Sequence, residues 1–374
     1  MAPSIYPRRN RSKKRSPKGK QEVLNHFMHR IAVIPGDGIG PEVIEQGLRA
    51  LSEVSRKFNL LLEFTQFPWG AEHYLKTGKP LPEDGLKQIS DFEAVYVGAI
   101  GDPRVQTGVL ERAIIGGLRW DLDLYVNLRP MKLYHEQHCP LKKIGPSDLD
   151  ILVVRENTED LYTGPSGFIK KYTEDEVAFG TAFYTRKGVE RIIRYAFDQA
   201  RKRRKKLTLC DKANAVQAQE IWRRVFSFVG QEYPDVTQET IYVDACAMAL
   251  VRKPQQFDVI VTTNLFGDIL TDLGSELCGG VGLAPSGNIH PGKFGFFEPI
   301  HGSAPKYAGK KKANPLGAIL AGSMMLQYLG EEKGAQAIES AVTELLGTGK
   351  LKTLGTESEI STDQIGDLVL DALS

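Results

Sequence analysis

Short apolar runs alternate with amphipathic helical patterns along most of the chain. Five runs have the length and composition of buried strands, at residues 31–35, 94–100, 150–154, 206–210 and 258–264. Each run lies next to a helical or turn signal. This succession is typical of an α/β fold with a mostly parallel sheet.

Helices are predicted between and after these strands. One begins at Pro41, because proline favours the first helical position, and the clearest one begins at Gly188, after which the apolar residues recur on one face. Near the C-terminus, residues 314–315 predict the start of a helix, and residues 361–364 form a possible capping box for the last one.

The formal charge is nearly balanced, with 48 Lys and Arg against 46 Asp and Glu, but the charges are unevenly placed. The first 20 residues hold eight basic residues and no acid, so the rest carries 40 basic against 46 acidic side chains. Residues 1–27 cannot bury enough apolar surface to fold alone, and we predict a disordered basic extension. Two roles stay open for this extension, organellar targeting and nucleic-acid binding. Of these, nucleic-acid binding is not expected.

The spacing of the cysteines indicates the redox environment in which the protein works. Cys139, Cys210, Cys246 and Cys278 are far apart, without Cys-x-x-Cys spacing, which argues against a zinc site and for a reducing compartment. We therefore predict a cytoplasmic protein. Because no run of 18 apolar residues is present, we also expect no membrane span.

A glycine-rich loop follows the first strand and invites comparison with the Rossmann dinucleotide-binding fingerprint. That fingerprint has the order Gly-x-Gly-x-x-Gly leading directly into a helix, whereas Gly36, Gly38 and Gly40 are evenly spaced and followed by proline. The loop by itself is therefore weak support for a Rossmann fold.

Asp268 and Asp272 carry the strongest chemical signal. They are four residues apart just after a buried strand, so they share one face of a helix. Two carboxylates held in this way suit Mg²⁺ or Mn²⁺. The alternative is that they are ordinary acids near a helix N-terminus, where the helix dipole favours negative charge.

Three arginines are the second signal. Arg119, Arg129 and Arg155 together indicate a polyanionic substrate, because guanidinium groups bind carboxylates through two parallel hydrogen bonds. Lys212, directly after an apolar strand, is a candidate general base, and Tyr162 is a candidate proton donor. Taken singly, each of these residues fits a surface ion pair or simple packing equally well.

Seven ordered segments between residues 31 and 373 resemble the β-decarboxylating dehydrogenases, the family of isocitrate, 3-isopropylmalate, homoisocitrate and D-malate/tartrate dehydrogenases. They are IPGDGIGPE, LRWDLDLYVNLRP, VVRENTEDLY, DKANAV, VDACAMALVRKP, NLFGDILTDLG and FFEPIHGSAPKYAGKKKANP. The resemblance implies a two-domain, mostly parallel α/β fold unlike the Rossmann fold. Residues 28–125 and 279–374 would form a large cofactor-side domain, and residues 126–278 a small domain with the substrate and metal residues and a dimer arm.

Carried onto matching positions, the family roles imply that the three arginines bind the substrate carboxylates and that Tyr162 protonates the enolate carbon. Asp268 and Asp272 would bind Mg²⁺ or Mn²⁺, while Lys212, as a proton relay, and Asp244, as a further metal ligand, would come from the partner subunit. The resemblance thus implies a homodimer with shared active sites. It also implies oxidative decarboxylation of a small 2-hydroxy dicarboxylate, with hydride transfer to NAD⁺ or NADP⁺.

The substrate is predicted from the residues before the first arginine. Isocitrate enzymes of the family have Ser and Asn six and four residues upstream, where this chain has Ala113 and Ile115. With Ile114, these residues predict an apolar pocket, because burying an unpaired carboxylate is costly. We therefore expect 3-isopropylmalate, and leucine biosynthesis, ahead of homoisocitrate, D-malate, tartrate or isocitrate. Arg112 stands where many isopropylmalate enzymes have Glu, unless a one-residue slip places Glu111 there.

The nucleotide loop is assigned by the same resemblance. NAD-preferring members have an acidic residue after HGSAP, whereas Lys306 here suits a 2′-phosphate, so NADP⁺ use is a hypothesis and NAD⁺ use stays open. The arginine expected downstream of an NADP⁺ site is absent from residues 353–364. The expected cofactor residues are Glu298, His301, Gly302, Ser303, Ala304, Pro305, Lys306, Tyr307 and Asn314.

The alternative of another class is a non-catalytic regulatory subunit, or an RNA-binding protein, built on this scaffold. Regulatory relatives typically lose a catalytic residue. Because every catalytic, arginine and metal position named above is filled, we expect an enzyme.

Overall fold

The computed structural model describes residues 28–374, so the predicted basic extension at residues 1–27 lies outside the described residues. The strands are β1 (Met28–Ile34), β2 (Leu61–Gln66), β3 (Ala94–Val97), β4 (Val126–Lys132), β5 (Asp150–Glu156), β6 (Ser166–Ile169), β7 (Val177–Gly180), β8 (Lys206–Asp211), β9 (Thr237–Tyr242), β10 (Val259–Thr262), β11 (Pro285–His290) and β12 (Phe294–Pro299). The α-helices are α1 (Gly40–Phe58), α2 (Ala71–Thr77), α3 (Gly85–Ser90), α4 (Val109–Glu111), α5 (Gly117–Asp121), α6 (Arg186–Arg201), α7 (Glu220–Gly230), α8 (Val243–Arg252), α9 (Asn264–Leu277), α10 (Leu316–Leu329), α11 (Glu332–Gly347) and α12 (Thr362–Leu373). A π-helical turn, Arg112–Gly116, joins α4 to α5.

Ten strands form one sheet, in the order β2-β1-β3-β12-β11-β4-β5-β10-β8-β9. Six of its nine neighbouring pairs are parallel, and the three antiparallel pairs lie together at the centre, around β11 and β4. This confirms the predicted α/β fold with a mostly parallel sheet, and the antiparallel centre distinguishes it from a Rossmann fold. Strands β4, β5, β10, β8 and β9, all from residues 126–278, occupy one half of this sheet, and its other five strands occupy the other half.

The predicted elements are present, with small shifts at their ends that have local causes. β3 ends at Val97, earlier than predicted, because the chain then turns and the Ala99 carbonyl accepts the Asp37 amide at 2.7 Å. α6 begins at Arg186, before Gly188, because the Thr185 hydroxyl accepts the Gly188 amide and caps the helix.

The two C-terminal helix starts also follow from side-chain capping. α10 begins at Leu316, one residue after the predicted pair, and the Asn314 side chain accepts the Leu316 amide at 3.0 Å. The capping box before α12 is confirmed, since Ser361 accepts the Gln364 amide and the Gln364 side chain accepts the Ser361 amide.

The apolar face predicted for α6 lies in the core. Val189, Ile192, Ile193 and Phe197 are fully buried there, and burial of one such side chain stabilises the fold by about 1.5–3 kcal/mol. Basic residues at the C-terminal end of α6 pair with acids, for example Arg201 with Asp235 at 2.7 Å. This is expected of a solvent-exposed helix end. None of the helices among residues 28–374 is long and apolar enough to cross a membrane.

β6 and β7 form a separate two-stranded antiparallel hairpin outside the main sheet. Its apolar side chains are largely exposed, among them Phe168, Ile169, Val177 and Phe179. An isolated hairpin of this kind is at best marginally stable in water unless it packs against something else.

Candidate active site

The site is built where two neighbouring parallel strands end. Arg155 lies near the carboxyl end of β5, opposite Thr262 of β10, and α9 begins two residues after β10. Because both strands run in the same direction, α9 starts at the same edge of the sheet as Arg155. This is the edge at which α/β proteins commonly bind ligands.

Arg155 and Asp268 form the buried centre of the site. The Arg155 guanidinium donates to Asp268 Oδ1 and, through Nε and Nη2, to Asn264 Oδ1 at 3.0 and 2.7 Å. Gly267 allows this approach, because a Cβ atom there would lie 2.5 Å from the Cγ of Arg155. α9 thus packs directly on the arginine and holds Asp268 beside it.

Arg129, on β4, connects the two aspartates predicted to bind metal. Its guanidinium lies 3.7 Å from Asp268 and 3.8 Å from Asp272, so the two carboxylates converge on one cation. Arg129 is itself buried and is held by Asn127 at 3.0 Å. Two carboxylates one helical turn apart present the oxygen donors that Mg²⁺ or Mn²⁺ prefers.

Tyr162 lies against the same carboxylate. Its hydroxyl donates to Asp268 Oδ2 at 2.8 Å, and its ring lies 5.6 Å from the guanidinium carbon of Arg155. Burial and the hydrogen bond to Asp268 raise the pKa of Tyr162 to about 12. The phenol therefore keeps its proton at neutral pH.

Ionisation of the two aspartates differs because their surroundings differ. Burial acts against the charge of Asp268, but Arg155 and Arg129 outweigh it, and the pKa of Asp268 lies below its usual value. Burial and the neighbouring charge of Asp268 raise the pKa of Asp272. A cation placed between them would favour the ionised form of both.

Arg119 reaches the site from the other half of the sheet. It lies on α5, where Nε donates to Asn288 and Nη2 donates to Glu298, both at 3.0 Å. Asn157 donates to the same Asn288 oxygen, at 3.1 Å. Glu298, assigned to the cofactor from the sequence, is thus engaged in positioning Arg119.

These groups surround a cavity of about 430 Å³. It is lined by Glu111, Arg112, Ile115, Gly116, Arg119, Trp120, Arg155, Asn157, Leu161, Tyr162, Asn264 and Asp268. The lining combines charged groups with the apolar side chains of Ile115, Trp120 and Leu161. A larger hollow of about 660 Å³ beside α1 is lined by Arg49 but by none of Arg119, Arg155 and Tyr162, so the predicted chemistry belongs to the smaller cavity.

The structure does not bring Ile114 to this cavity. Ile114 is 1% exposed and packs in the core with Trp69 and Leu118, whereas Ile115 lines the cavity. Ile114 is thus turned towards the core, and Ile115 towards the cavity. We therefore withdraw Ile114 as a substrate contact and keep Ile115.

The sequence left open whether Arg112 or Glu111 stands where many isopropylmalate enzymes have Glu. The π-helical turn Arg112–Gly116 begins at this position. The amide of Gly117 donates to the carbonyl of Arg112, five residues back, which adds one residue to the turn. Both Glu111 and Arg112 line the cavity as a result. Single π turns occur frequently at functional sites.

Lys212 and Asp244 lie together outside the cavity lining. Lys212 Nζ donates to Asp244 Oδ1 at 2.6 Å, and this bond lowers the pKa of Asp244. Within residues 28–374 no group of three or more His, Cys, Asp or Glu is arranged to hold a metal ion. Of the expected metal ligands, Asp268 lines the cavity and Asp272 lies one helical turn further along α9, while Asp244 is not among the lining residues.

The expected nucleotide loop packs on the glycine turn after β1. The Ile39 amide donates to the Ser303 carbonyl at 2.8 Å, and a Cβ atom on Gly38 would lie only 1.9 Å from that oxygen. Gly302 faces open space, and the buried Nε2 of His301 has no hydrogen-bond partner among the described residues. A loop with an open backbone position and an unsatisfied ring nitrogen fits a nucleotide.

The rest of the loop carries positive charge. Lys306 Nζ lies 4.7 Å from the ring centre of Tyr307, and Lys306 forms no ion pair with the acids of the described chain. Ala304 and Pro305 form the turn before them. Asn314 caps α10 and also donates to the Leu354 carbonyl at 3.2 Å, so its amide is already engaged.

Several lining residues escaped the sequence reasoning. Asn264, which orients Arg155, stands at the start of the segment that carries Asp268, and this adjacency could have suggested it. Gly116 and Trp120 are four residues apart on one helical segment, a spacing that puts them on one face. Leu161 gave no signal apart from being next to Tyr162.

The fold and the site define a β-decarboxylating dehydrogenase. The family profile described as "Isocitrate/isopropylmalate dehydrogenase" matches residues 30–369, and the chain belongs to this family. Family membership implies a divalent metal ion, a nicotinamide cofactor and a small hydroxy-acid substrate.

Curated relatives match over nearly their whole length. The 3-isopropylmalate dehydrogenase of Thermobifida fusca is 48% identical over 342 residues, which cover 90% of this chain and 96% of the relative. That of Bifidobacterium longum (strain DJO10A) is 46% identical, covering 91% and 98%. Among solved structures, isocitrate dehydrogenase from Methylococcus capsulatus is 38% identical with a TM-score of 0.84, covering 92% of this chain and 99% of that one. A β-decarboxylating dehydrogenase from Thermococcus kodakarensis is 36% identical with a TM-score of 0.75, covering 92% and 96%.

Proposed function

We propose that the chain catalyses the oxidative decarboxylation of 3-isopropylmalate, with hydride transfer to NAD⁺ or NADP⁺. The observation that carries this proposal is that one cavity is lined both by charged groups, among them Arg119, Arg155 and Asp268, and by the apolar side chains of Ile115 and Leu161. A malate core needs the charged groups, and an isopropyl substituent needs the apolar ones. The names of the curated relatives support the same substrate. The reaction belongs to leucine biosynthesis, and we propose a cytoplasmic location.

The side chains of the cavity would divide the chemistry. Arg119, Arg129 and Arg155 would hold the two carboxylates of the malate core in one orientation. When bound, the metal would supply Lewis-acid polarisation of the substrate oxygen, and the nicotinamide would accept the hydride. Lys212 would take the hydroxyl proton, and Tyr162, protonated at neutral pH, would give a proton to the carbon that loses CO₂. The proton removed and the proton added balance.

Asp268 and Asp272 would hold the metal, Mg²⁺ or Mn²⁺, together with Asp244 of the partner subunit. Carboxylates are the ligands that both ions prefer, and substrate oxygens would complete the set. The chemistry of the donors fits, because the carboxylates of Asp268 and Asp272 already converge on the cation of Arg129.

The need for a second subunit is supported by exposed apolar residues near these acids. α8 carries Asp244 and exposes Met248 (59%), while α9 carries Asp268 and exposes Ile269 (58%). Large exposed apolar side chains grouped in this way mark interaction surfaces. We propose that α8 and α9 pack against a second copy, that the β6–β7 hairpin is the dimer arm, and that Lys212 and Asp244 thereby enter the partner's cavity.

A substrate panel tests the proposed function. Reduction of nicotinamide in the presence of Mg²⁺ is followed with 3-isopropylmalate, homoisocitrate, isocitrate, D-malate and tartrate. We expect the highest kcat/KM with 3-isopropylmalate, and a clearly lower value with isocitrate, whose third carboxylate would meet the apolar side chains of the cavity. A higher kcat/KM for isocitrate or homoisocitrate would contradict the proposed substrate.

For the cofactor we propose NADP⁺, on the basis of the uncompensated charge of Lys306. The ratio of kcat/KM for NADP⁺ to that for NAD⁺ is expected to exceed one. Lys306→Asp should lower this ratio by about 10–100-fold, the effect of losing one hydrogen bond to a charged group. Lys310→Asp, in the same loop, is the control and should change it less. A clear NAD⁺ preference of the unmodified protein would contradict the role of Lys306.

A further inference from the structure

The ring of Trp120 packs unusually closely against the backbone of the helical segment that lines the cavity. A Cβ atom built on Gly116 would lie 2.7 Å from Cζ3 and 3.0 Å from Cη2 of the Trp120 ring. Real side chains do not approach so closely. The indole therefore lies on the bare backbone of Gly116, and any larger residue at that position would displace it.

The surroundings of Trp120 distinguish it from a core residue. Trp69 and Trp222 are buried in the apolar clusters of the protein, whereas Trp120 belongs to none of the clusters formed by residues 28–374. It lines the cavity beside Ile115 and next to Arg119. A large aromatic ring thus lines the same cavity as Arg119 and the apolar side chain of Ile115.

We propose that Trp120, seated on Gly116, is a specificity-determining residue whose ring contacts the substituent at C3 of the substrate and limits its size. This inference rests on the proposed function, because it needs a substituted malate in the cavity. A rigid aromatic ring is suited to this role, since it offers a large contact area at a low cost in conformational entropy. An unsubstituted malate would reach the arginines without touching the ring.

The first test compares substituted and unsubstituted substrates. Trp120→Ala should lower the ratio of kcat/KM for 3-isopropylmalate to that for D-malate by about tenfold or more, the discrimination that a few methylene groups have in an apolar pocket. It should also raise the relative rate with a bulkier 3-alkylmalate. Trp120→Phe keeps an aromatic ring and should largely retain the ratio. Asp121→Asn, on the exposed side of the same segment, is the matched control. Gly116→Ala should shift the ratio in the same direction as Trp120→Ala.

The second test needs no destabilising variant. Because the other two tryptophans are buried, saturating 3-isopropylmalate should change the intrinsic fluorescence of the unmodified protein more than D-malate does, and Trp120→Phe should remove the difference. If the protein turns over 3-isopropylmalate but Trp120→Ala leaves the substrate ratio unchanged, or if the fluorescence difference survives in Trp120→Phe, the role of Trp120 is wrong and the proposed function stands. If no substituted malate is turned over, the proposed function fails, and the inference fails with it.

Discussion

Lys212→Met is expected to lower kcat by about 10²–10⁴-fold, the contribution that a positioned acid–base group makes in enzymes. Binding of 3-isopropylmalate, measured by calorimetry, should persist, because the arginines that hold the carboxylates are untouched. Lys206→Met, at the start of the strand that precedes Lys212, removes a lysine paired with Glu239 at 2.9 Å and should leave kcat unchanged. Retained activity in Lys212→Met would remove this residue from the mechanism.

Mixing inactive variants tests whether Lys212 acts on the cavity of the other subunit. Chains carrying Lys212→Met and chains carrying Tyr162→Phe are unfolded together and refolded. Half of randomly formed dimers are mixed and each holds one intact site, so up to about a quarter of the normal activity should return. If Lys212 and Tyr162 of the same chain form one site, mixing restores nothing.

Asp268→Asn is the second variant for which a large effect is expected. It removes the negative charge that faces Arg155, Arg129 and Tyr162, and with it a proposed metal ligand. kcat/KM should fall by about 10²–10³-fold or more, the cost of removing one electrostatic contact to a reacting centre. The Mg²⁺ concentration for half-maximal activity should rise.

The same variant should also lower stability, because the buried guanidinium of Arg155 loses its charged partner. A decrease of about 1–3 kcal/mol in the free energy of unfolding is expected. Glu276→Gln, two turns further along α9, changes an exposed acid that contacts neither arginine and serves as the control. Normal activity and metal dependence in Asp268→Asn would contradict the assigned site.

The central residues of the site could be predicted from the sequence, because finding them does not require knowing the order of the strands in the sheet. Strands 150–154 and 258–264 are each recognisable as apolar runs, and the chemistry lies immediately after them. Parallel strands place their carboxyl ends on one edge, so Arg155 and Asp268 meet wherever the two strands pair. The spacing of Asp268 and Asp272 likewise fixed a common helical face, and α9 confirms that helix.

What could not be predicted depended on irregular backbone and on contacts remote in sequence. The sequence did not show in which direction the side chains of Ile114 and Ile115 point, so both were assigned to one pocket. Their directions depend on the π turn Arg112–Gly116, and such a turn has no sequence pattern of its own. The hydrogen bond between Arg119 and Glu298 joins residues 179 positions apart, so a role as an arginine anchor could not be read from local motifs. The four-residue spacing of Gly116 and Trp120 indicates that they share a helical face, but that this face lines the cavity could not be read from the sequence.

The most direct test of the central claim is the stoichiometry of the reaction with 3-isopropylmalate. The full-length protein, Mg²⁺ and the preferred nicotinamide are incubated with this substrate, and released CO₂ and reduced nicotinamide are measured in the same sample. Equal amounts of both are the expected result, and both should be strongly reduced in Tyr162→Phe and Asp268→Asn. Reduced nicotinamide without CO₂, or neither product, would contradict oxidative decarboxylation at this cavity.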